Sequence, residues 1–436
     1  MRKIQTSSDK PDWLVQAEKD YGMPMTYPQA SDELGTLGYP KSEIDKSKIV
    51  IQSNLDQIQK DNLESLEEKK KDPKSNPPKY GVTIASIYPP EEFLSKNTGL
   101  KSFMPPPPQS GRQPPLASSY GTVVVPDKSK ILPSLNYSNL TGGIKLPVYN
   151  QSQCGCCWVV SCTATLNYHL FKQSSSGTSS ETTDTNETTG STQEPEQQEP
   201  EPESSSGKLN KIVYPNLYTF CVKPNPPRGF SRQSNGCQGG IPTDVFVDIN
   251  DVKTLAVIPN QPQNLQFKQQ DNNCQRMLQP QSNPLLTVES IEFPSKGVVA
   301  LYNDGKFYYN KEVKDPYTFL PTSKLTAYDR TKVFTDEQID TIKYLLCTNG
   351  PMVVGMNAAK TRNITQYKSG ILEFPGGTPD HAIILIGYQD NYWIMQNSWS
   401  EKWGMNGLMY VDINKSYLTM MTALVSDYTE FGKLNA

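Results

Sequence analysis

Histidine is almost missing from this chain: of 436 residues, only His169 and His381 carry an imidazole. With so few imidazoles and no second Cys-x-x-Cys run, the usual tetrahedral zinc sets cannot be completed, and neither a metal nor another cofactor is expected. Long apolar runs are missing as well. Nothing approaches the roughly 18 consecutive apolar residues that cross a bilayer, so no membrane span is expected. The opening Met1-Arg2-Lys3-Ile4-Gln5-Thr6-Ser7-Ser8-Asp9-Lys10 lacks the apolar core of roughly 7 to 15 residues that marks a secretory leader. Charge of one sign is scarce too: 42 Lys and Arg against 45 Asp and Glu give −3, without the basic excess that nucleic-acid binding requires. Apolar residues make up only 35% and proline is abundant at 36, so part of the chain is expected to stay outside a packed core. No internal repeat is evident.

What is present is concentrated in four short blocks. Gln151-Ser152-Gln153-Cys154-Gly155-Cys156-Cys157-Trp158 offers a thiol at an expected helix start, six residues after a glutamine amide. A cysteine nucleophile near neutral pH needs an imidazole to supply thiolate. His169 lies in the same expected helix, about 18 Å along the axis from Cys157, too far to act as its base. His381 is therefore the remaining candidate, in Thr378-Pro379-Asp380-His381-Ala382 followed by an apolar run to Tyr388. The third block is Gln396-Asn397-Ser398-Trp399-Ser400-Glu401-Lys402-Trp403-Gly404-Met405-Asn406-Gly407, and the fourth is Asn235-Gly236-Cys237-Gln238-Gly239-Gly240.

Taken in order, these blocks resemble the papain/cathepsin family of cysteine peptidases. Cys-Gly-Ser/Ala-Cys-Trp/Tyr is that family's nucleophile run, and Asp/Asn-His-Ala, Asn-Ser-Trp-Gly and Gly-Cys-Asn-Gly-Gly are its other marks. Two departures stand out: Cys156 replaces Ser or Ala, and Ser400 replaces Gly. The resemblance implies Cys157 as nucleophile and His381 as acid and base. Asn397 would orient the imidazole under Trp399, and Gln151 would act in the oxyanion hole with the Cys157 N–H. It implies that Gly155, Cys156, Gly239 and Gly240 line the cleft. The second specificity pocket would be formed by Ile241, Pro242, Gly355, Pro379 and Ala382, favouring an apolar residue at P2. A thiolate–imidazolium pair is expected before substrate arrives. It also implies a Cys154–Cys237 bridge and, in approximate position, a Cys221–Cys274 bridge, whereas Cys162 and Cys347 read as buried small side chains. The partner is a peptide or protein substrate, and a monomer is expected. A papain-like acyltransferase and a catalytically silent structural protein are the rival readings.

The implied fold is α+β and papain-like, a helical lobe carrying Cys157 facing a β-barrel-like lobe carrying His381 and Asn397. Helices are read over Cys157 to Lys172 and Thr335 to Leu346. Strands are read over Met352 to Asn357, Ala382 to Tyr388, Tyr392 to Gln396 and Gly407 to Ile413. The peptidase domain is expected at 131–436, interrupted at 173–207 by an acidic Ser/Thr/Glu/Pro segment that helps explain why His381 lies so far beyond Cys157. Residues 1–130 read as largely disordered or propeptide-like. They hold one charged helix near Ile51 to Lys71, with Leu55, Ile58, Leu63 and Leu66 on one side, and a proline-rich run at Met104 to Pro108. The spaced Glu/Arg/Phe/Asn/Ile/Asn pattern of the family's inhibitory helix is absent. Position alone supports either occupancy of the cleft or a solvated tether or particle-binding arm. A cathepsin-like core without a leader resembles the papain-like enzymes of large DNA viruses, and an intracellular or virion-associated location is expected over conventional secretion.

Overall fold

The computed structural model describes residues 10–101, 121–140, 145–176, 211–213, 234, 236–259, 289–302, 305–311 and 333–434. Cys221, Cys274, the proline-rich run and nearly all of the acidic segment lie outside them.

Where one N-terminal helix was expected, the described residues hold five: α1 (Asp12–Gly22), α2 (Tyr27–Thr36), α3 (Lys41–Lys46), α4 (Lys48–Lys71) and α5 (Pro90–Asn97). The additional four are short, 6 to 11 residues, so they gave a weak signal. Helix α2 is opened by a Thr26/Gln29 capping box with proline in its first turn, and α5 likewise starts on proline. Helix α4 buries Ile51, Leu55, Ile58 and Leu66, but Leu63 is 45% exposed. The stripe at spacings of three and four runs through 51, 55, 58, 62 and 66, and Leu63 falls one residue off it. The polar member Asn62 is buried usefully: its amide donates to Tyr80 O at 2.9 Å and accepts from Tyr80 N–H at 2.8 Å. Asn54 similarly donates to Ser86 O at 2.9 Å, so α4 holds the extended chain that leads into α5.

The largest sheet has ten strands. Its path runs β11 (Ile371–Leu372), β14 (Leu408–Asp412), β13 (Tyr392–Gln396), β12 (His381–Gln389), β9 (Met352–Met356), β15 (Thr419–Ser426), β7 (Ser295–Leu301), β8 (Phe307–Asn310) and β2 (Thr122–Val123), with β3 (Leu135–Asn136) beside β12. The four expected strands are β14, β13, β12 and β9, consecutive in that path. The β-barrel expectation is corrected: among the described residues the sheet is open, because β11 and β2 end the path without pairing to each other. A separate two-stranded pairing joins β1 (Lys79–Tyr80) of the N-terminal region to β10 (Tyr367–Ser369).

Helix α6 (Cys157–Ser176) packs against β12 and against α7 (Pro242–Val252). A three-stranded sheet of β4 (Lys211–Val213), β5 (Thr254–Pro259) and β6 (Glu289–Glu292) lies on the same side of the chain's order. Trp158, Cys162, Leu166 and Leu170 are all buried, as their helical spacing predicts. Helix α8 (Asp336–Asn349) starts at a Thr335/Gln338 capping box. The chain ends in α9 (Glu430–Leu434). No helix among the described residues is long and apolar enough to cross a membrane.

Candidate active site

Helix α6 begins where the backbone stops bonding locally. Cys156 O accepts from Val159 N–H at 2.9 Å and Val160 N–H at 3.1 Å, so Cys157 takes the first helical position with its thiol beside unpaired N–H groups. The preceding loop is pinned by the Cys154–Cys237 disulfide and by Gly155 N–H donating to Cys237 O at 3.0 Å. Cys157 lies in the buried cluster of Trp158, Ala382 and Leu100, whereas the preceding Cys156 lies in that of Val160, Ile384 and Ile394.

The imidazole comes from the first residue of β12, and the cross-strand neighbour β13 delivers Asn397 just past its end. His381 Nε2 lies 2.8 Å from Asn397 Oδ1, and Trp399 stacks on the imidazole with centroids 4.8 Å apart. Cys157 Sγ accepts from Ala382 N–H at 3.5 Å, which sets the thiol beside the start of the same strand. His381 Nδ1 is buried with no hydrogen-bond partner. The other histidine, His169, is buried elsewhere with Nδ1 2.8 Å from Ser426 Oγ, and burial lowers its pKa to about 4.

Gln151 is fully buried, and its Nε2 donates to Cys154 O at 2.7 Å and to Asn97 O at 3.0 Å. Asn97 O also accepts from Trp399 Nε1 at 3.2 Å. Asn97 ends α5, and the chain beyond it runs through the cleft. Gly99 and Leu100 N–H both donate to Asp380 O, at 3.0 and 2.9 Å. On the other side Gly240 N–H donates to Gly99 O at 2.9 Å, and Lys101 N–H to Gly240 O at 3.0 Å. Phe93 of α5 meets Trp399 edge-on at 5.2 Å. Sequence reading missed this filling segment, because a single glycine after a short proline-led helix was the only local cue.

Glycines make the fit possible. A Cβ on Gly99 would stand 2.0 Å from Gly155 O, and Gly239, at φ +94°, would put one 2.5 Å from Gly99 O. Leu100 occupies the space a side chain on Gly355 would fill: a Cβ there would lie 2.8 Å from Leu100 Cδ2 and 3.3 Å from Pro379 Cβ. Ala382 shares that cluster. Ile241 is buried at the end of the glycine turn and Pro242 opens α7.

Burial governs the charge state. Cys157 is pushed up to about 12, chiefly by desolvation, with the N–H groups of Ala382, Gly99 and Trp158 opposing it. Desolvation also lowers His381, opposed by its bond to Asn397. With the cleft filled, burial favours the neutral thiol and the neutral imidazole. Cys162 is buried as expected, whereas Cys347 is only half-buried, its Sγ 3.4 Å from Tyr388 Oη. Ser400 has φ +73°, in the region where glycine is strain-free.

Residues 230–427 match the family described as papain family cysteine protease. Gln151 and Cys157 precede that span; His381 and Asn397 fall within it. Among curated proteins, a cysteine proteinase of Trypanosoma brucei brucei is 34% identical over 116 residues, covering 24% of this chain and 25% of that protein. Procathepsin L of Rattus norvegicus is 30% identical over 123 residues, covering 26% and 36%. The matches thus span about a quarter to a third of these relatives' length. Among solved structures, the digestive procathepsin L2 proteinase from Tenebrio molitor larval midgut superposes with a TM-score of 0.51 at 16% identity, over 92% of this chain and all of that one. At that identity the likeness establishes the fold, a proenzyme fold that includes the N-terminal helices. The papain family match thus lies on residues 230–427, somewhat under half of the chain, and the fold around it is papain-like.

Proposed function

We propose that the chain is a cysteine endopeptidase held latent by its own residues 97–101. In this reading Cys157 attacks the peptide carbonyl, Gln151 Nε2 and the Cys157 N–H hold the oxyanion, and His381 protonates the leaving amine before water releases the acyl-enzyme. Asn397 accepts from the far imidazole nitrogen and fixes the tautomer, leaving Nδ1 for the thiol. The carrying observation is the buried constellation itself: one thiol at a helix start, one imidazole tied to Asn397 at 2.8 Å, and one amide already donating to a carbonyl oxygen in the cleft at 3.0 Å.

The segment in the cleft supports both latency and a substrate preference. Gly99 turns an N–H, not a carbonyl carbon, toward the thiol, so its backbone is unsuited to attack. Leu100 lies against Gly355, Pro379 and Ala382. An aliphatic or aromatic P2 side chain is the matching substrate feature, since burying one contributes about 1.5 to 3 kcal/mol. The test is kcat/KM on peptides varied only at P2. Leu or Phe should exceed Gly or Glu by at least about ten-fold, and all hydrolysis should vanish in Cys157→Ala. A flat P2 profile would refute the pocket, and hydrolysis by Cys157→Ala would refute the mechanism.

A further inference from the structure

Gly240 grips the cleft segment with both of its backbone polar groups. Its N–H donates to Gly99 O at 2.9 Å, and its carbonyl accepts from Lys101 N–H at 3.0 Å. That carbonyl belongs to the Gly240–Ile241 peptide, whose N–H points the opposite way, because the two groups of a trans peptide are antiparallel. Whatever holds Ile241 N–H therefore aims Gly240 O. The holder is Ser234: its hydroxyl oxygen accepts from Ile241 N–H at 2.9 Å and its own proton goes to Asp244 Oδ2. A serine hydroxyl can do both at once, having one donor and two acceptor positions. Asp244 is 5% exposed in the first turn of α7, and its N–H donates to Ile241 O at 3.1 Å, so the carboxyl group is itself fixed relative to the peptide it steadies.

The earlier part of this turn has other anchors. Cys237 is bridged to Cys154, and Gly236 O accepts from Trp158 Nε1 at 3.2 Å. These act upstream of Gly239 and Gly240, two residues whose missing Cβ atoms leave the backbone its widest choice of conformations. A side chain could not replace the second glycine, since a Cβ there would stand 2.5 Å from the Trp158 ring and 2.8 Å from Ser234 Oγ. We infer that Ser234, oriented by Asp244, is a positioning residue that aims Gly240 O at the backbone of whichever chain lies in the cleft, residues 99–101 before processing and a peptide substrate after it. The inference rests on the peptidase reading.

The position of Lys101 says which substrates feel this. Gly99 N–H faces the thiol and Leu100 fills the expected P2 pocket, so the donor to Gly240 O stands beyond the P2 side chain as seen from Cys157. Only a substrate that continues past P2 reaches it. The experiment compares Ser234→Ala, Ser234→Thr, Asp244→Ala and the Ser234→Ala/Asp244→Ala double variant, each made as the full chain and assayed before and after processing. In the processed enzyme Ser234→Ala should raise KM by about two- to ten-fold, the scale of one lost hydrogen bond, on peptides extending beyond P2. Peptides whose free amine stands at P2 should show a much smaller rise, with kcat held on both. Ser234→Thr should recover, Asp244→Ala should give a smaller rise of the same kind, and the double variant should match Ser234→Ala. In the uncut chain the loosened grip on Lys101 should speed iodoacetamide alkylation of Cys157, whereas the processed enzyme should alkylate at the wild-type rate. A wild-type KM in Ser234→Ala, an equal KM rise on both substrate lengths, or a joint fall in kcat and alkylation such as a damaged fold produces would each overturn the inference. Absence of peptide hydrolysis in the processed wild type would instead overturn the peptidase reading, and the alkylation rate of the uncut Ser234→Ala chain would still decide whether Ser234 aims Gly240.

Discussion

Replacing Gly99 by alanine should empty the cleft. The added Cβ would meet Gly155 O at 2.0 Å and Gly155 C at 2.5 Å, and both atoms belong to a loop fixed by the Cys154–Cys237 bridge. Neither side can yield by a rotamer change, so the segment has to lift. Lifting breaks the four backbone hydrogen bonds that Gly99, Leu100 and Lys101 make with Asp380 and Gly240, a net loss of about 2 to 6 kcal/mol. Withdrawing Leu100 costs about 1.5 to 3 kcal/mol more. Even the lower end corresponds to a rise of more than about 10²-fold in the open population. The assay is the initial rate of Cys157 alkylation in the uncut chain at neutral pH, with Leu100→Ala as a milder companion that keeps the backbone fit. Gly99→Ala should accelerate labelling by about 10²-fold or more, with Leu100→Ala in between. An unchanged rate in Gly99→Ala would refute the idea that this segment, through this contact, closes the site.

Other outcomes follow from the same geometry. Cys157→Ala and His381→Ala should abolish turnover, whereas Asn397→Ala should retain a residue of it, because the imidazole keeps its stacking on Trp399; steady-state kinetics decide. In the covered chain the Cys157 thiol, raised from 9.0 to about 12, should alkylate about ten-fold faster per pH unit through the neutral range, without the acid-side plateau of an ion pair. Because the folded pKa is the higher one, the covered form should also lose stability as pH climbs from about 9 to about 12. Ser400→Gly should raise the thermal midpoint slightly, since relief of about 1 to 2 kcal/mol at φ +73° exceeds glycine's entropic cost of about 0.5 to 1; a lower midpoint would contradict that balance.

The candidate site was more legible than the architecture around it. Cys157, His381, Asn397 and Gln151, which the fold brings together, could be singled out because they stand in short fixed patterns and because two histidines left little choice. Strands β12 and β13 were legible for a similar reason: each carries a short apolar run, 382–386 and 392–395, bounded by turn residues. The N-terminal helices were not, because their burial depends on partners that follow far along the chain. Arg362 illustrates this, donating to Ser65 Oγ at 2.8 Å and to Glu68 at 3.1 Å across almost 300 positions. The charge state of the covered form likewise depends on a distant segment. A helix start and a nearby imidazole favour thiolate, but a segment nearly sixty residues upstream removes the water that would support it.

The most direct measurement is peptide mapping after treatment with a peptidyl epoxide, on the reduced chain before and after proteolytic trimming of the N-terminal region. The account predicts one adduct, on Cys157, dependent on His381 and abundant only after trimming. Failure to label either form, or labelling on Cys156, would contradict it.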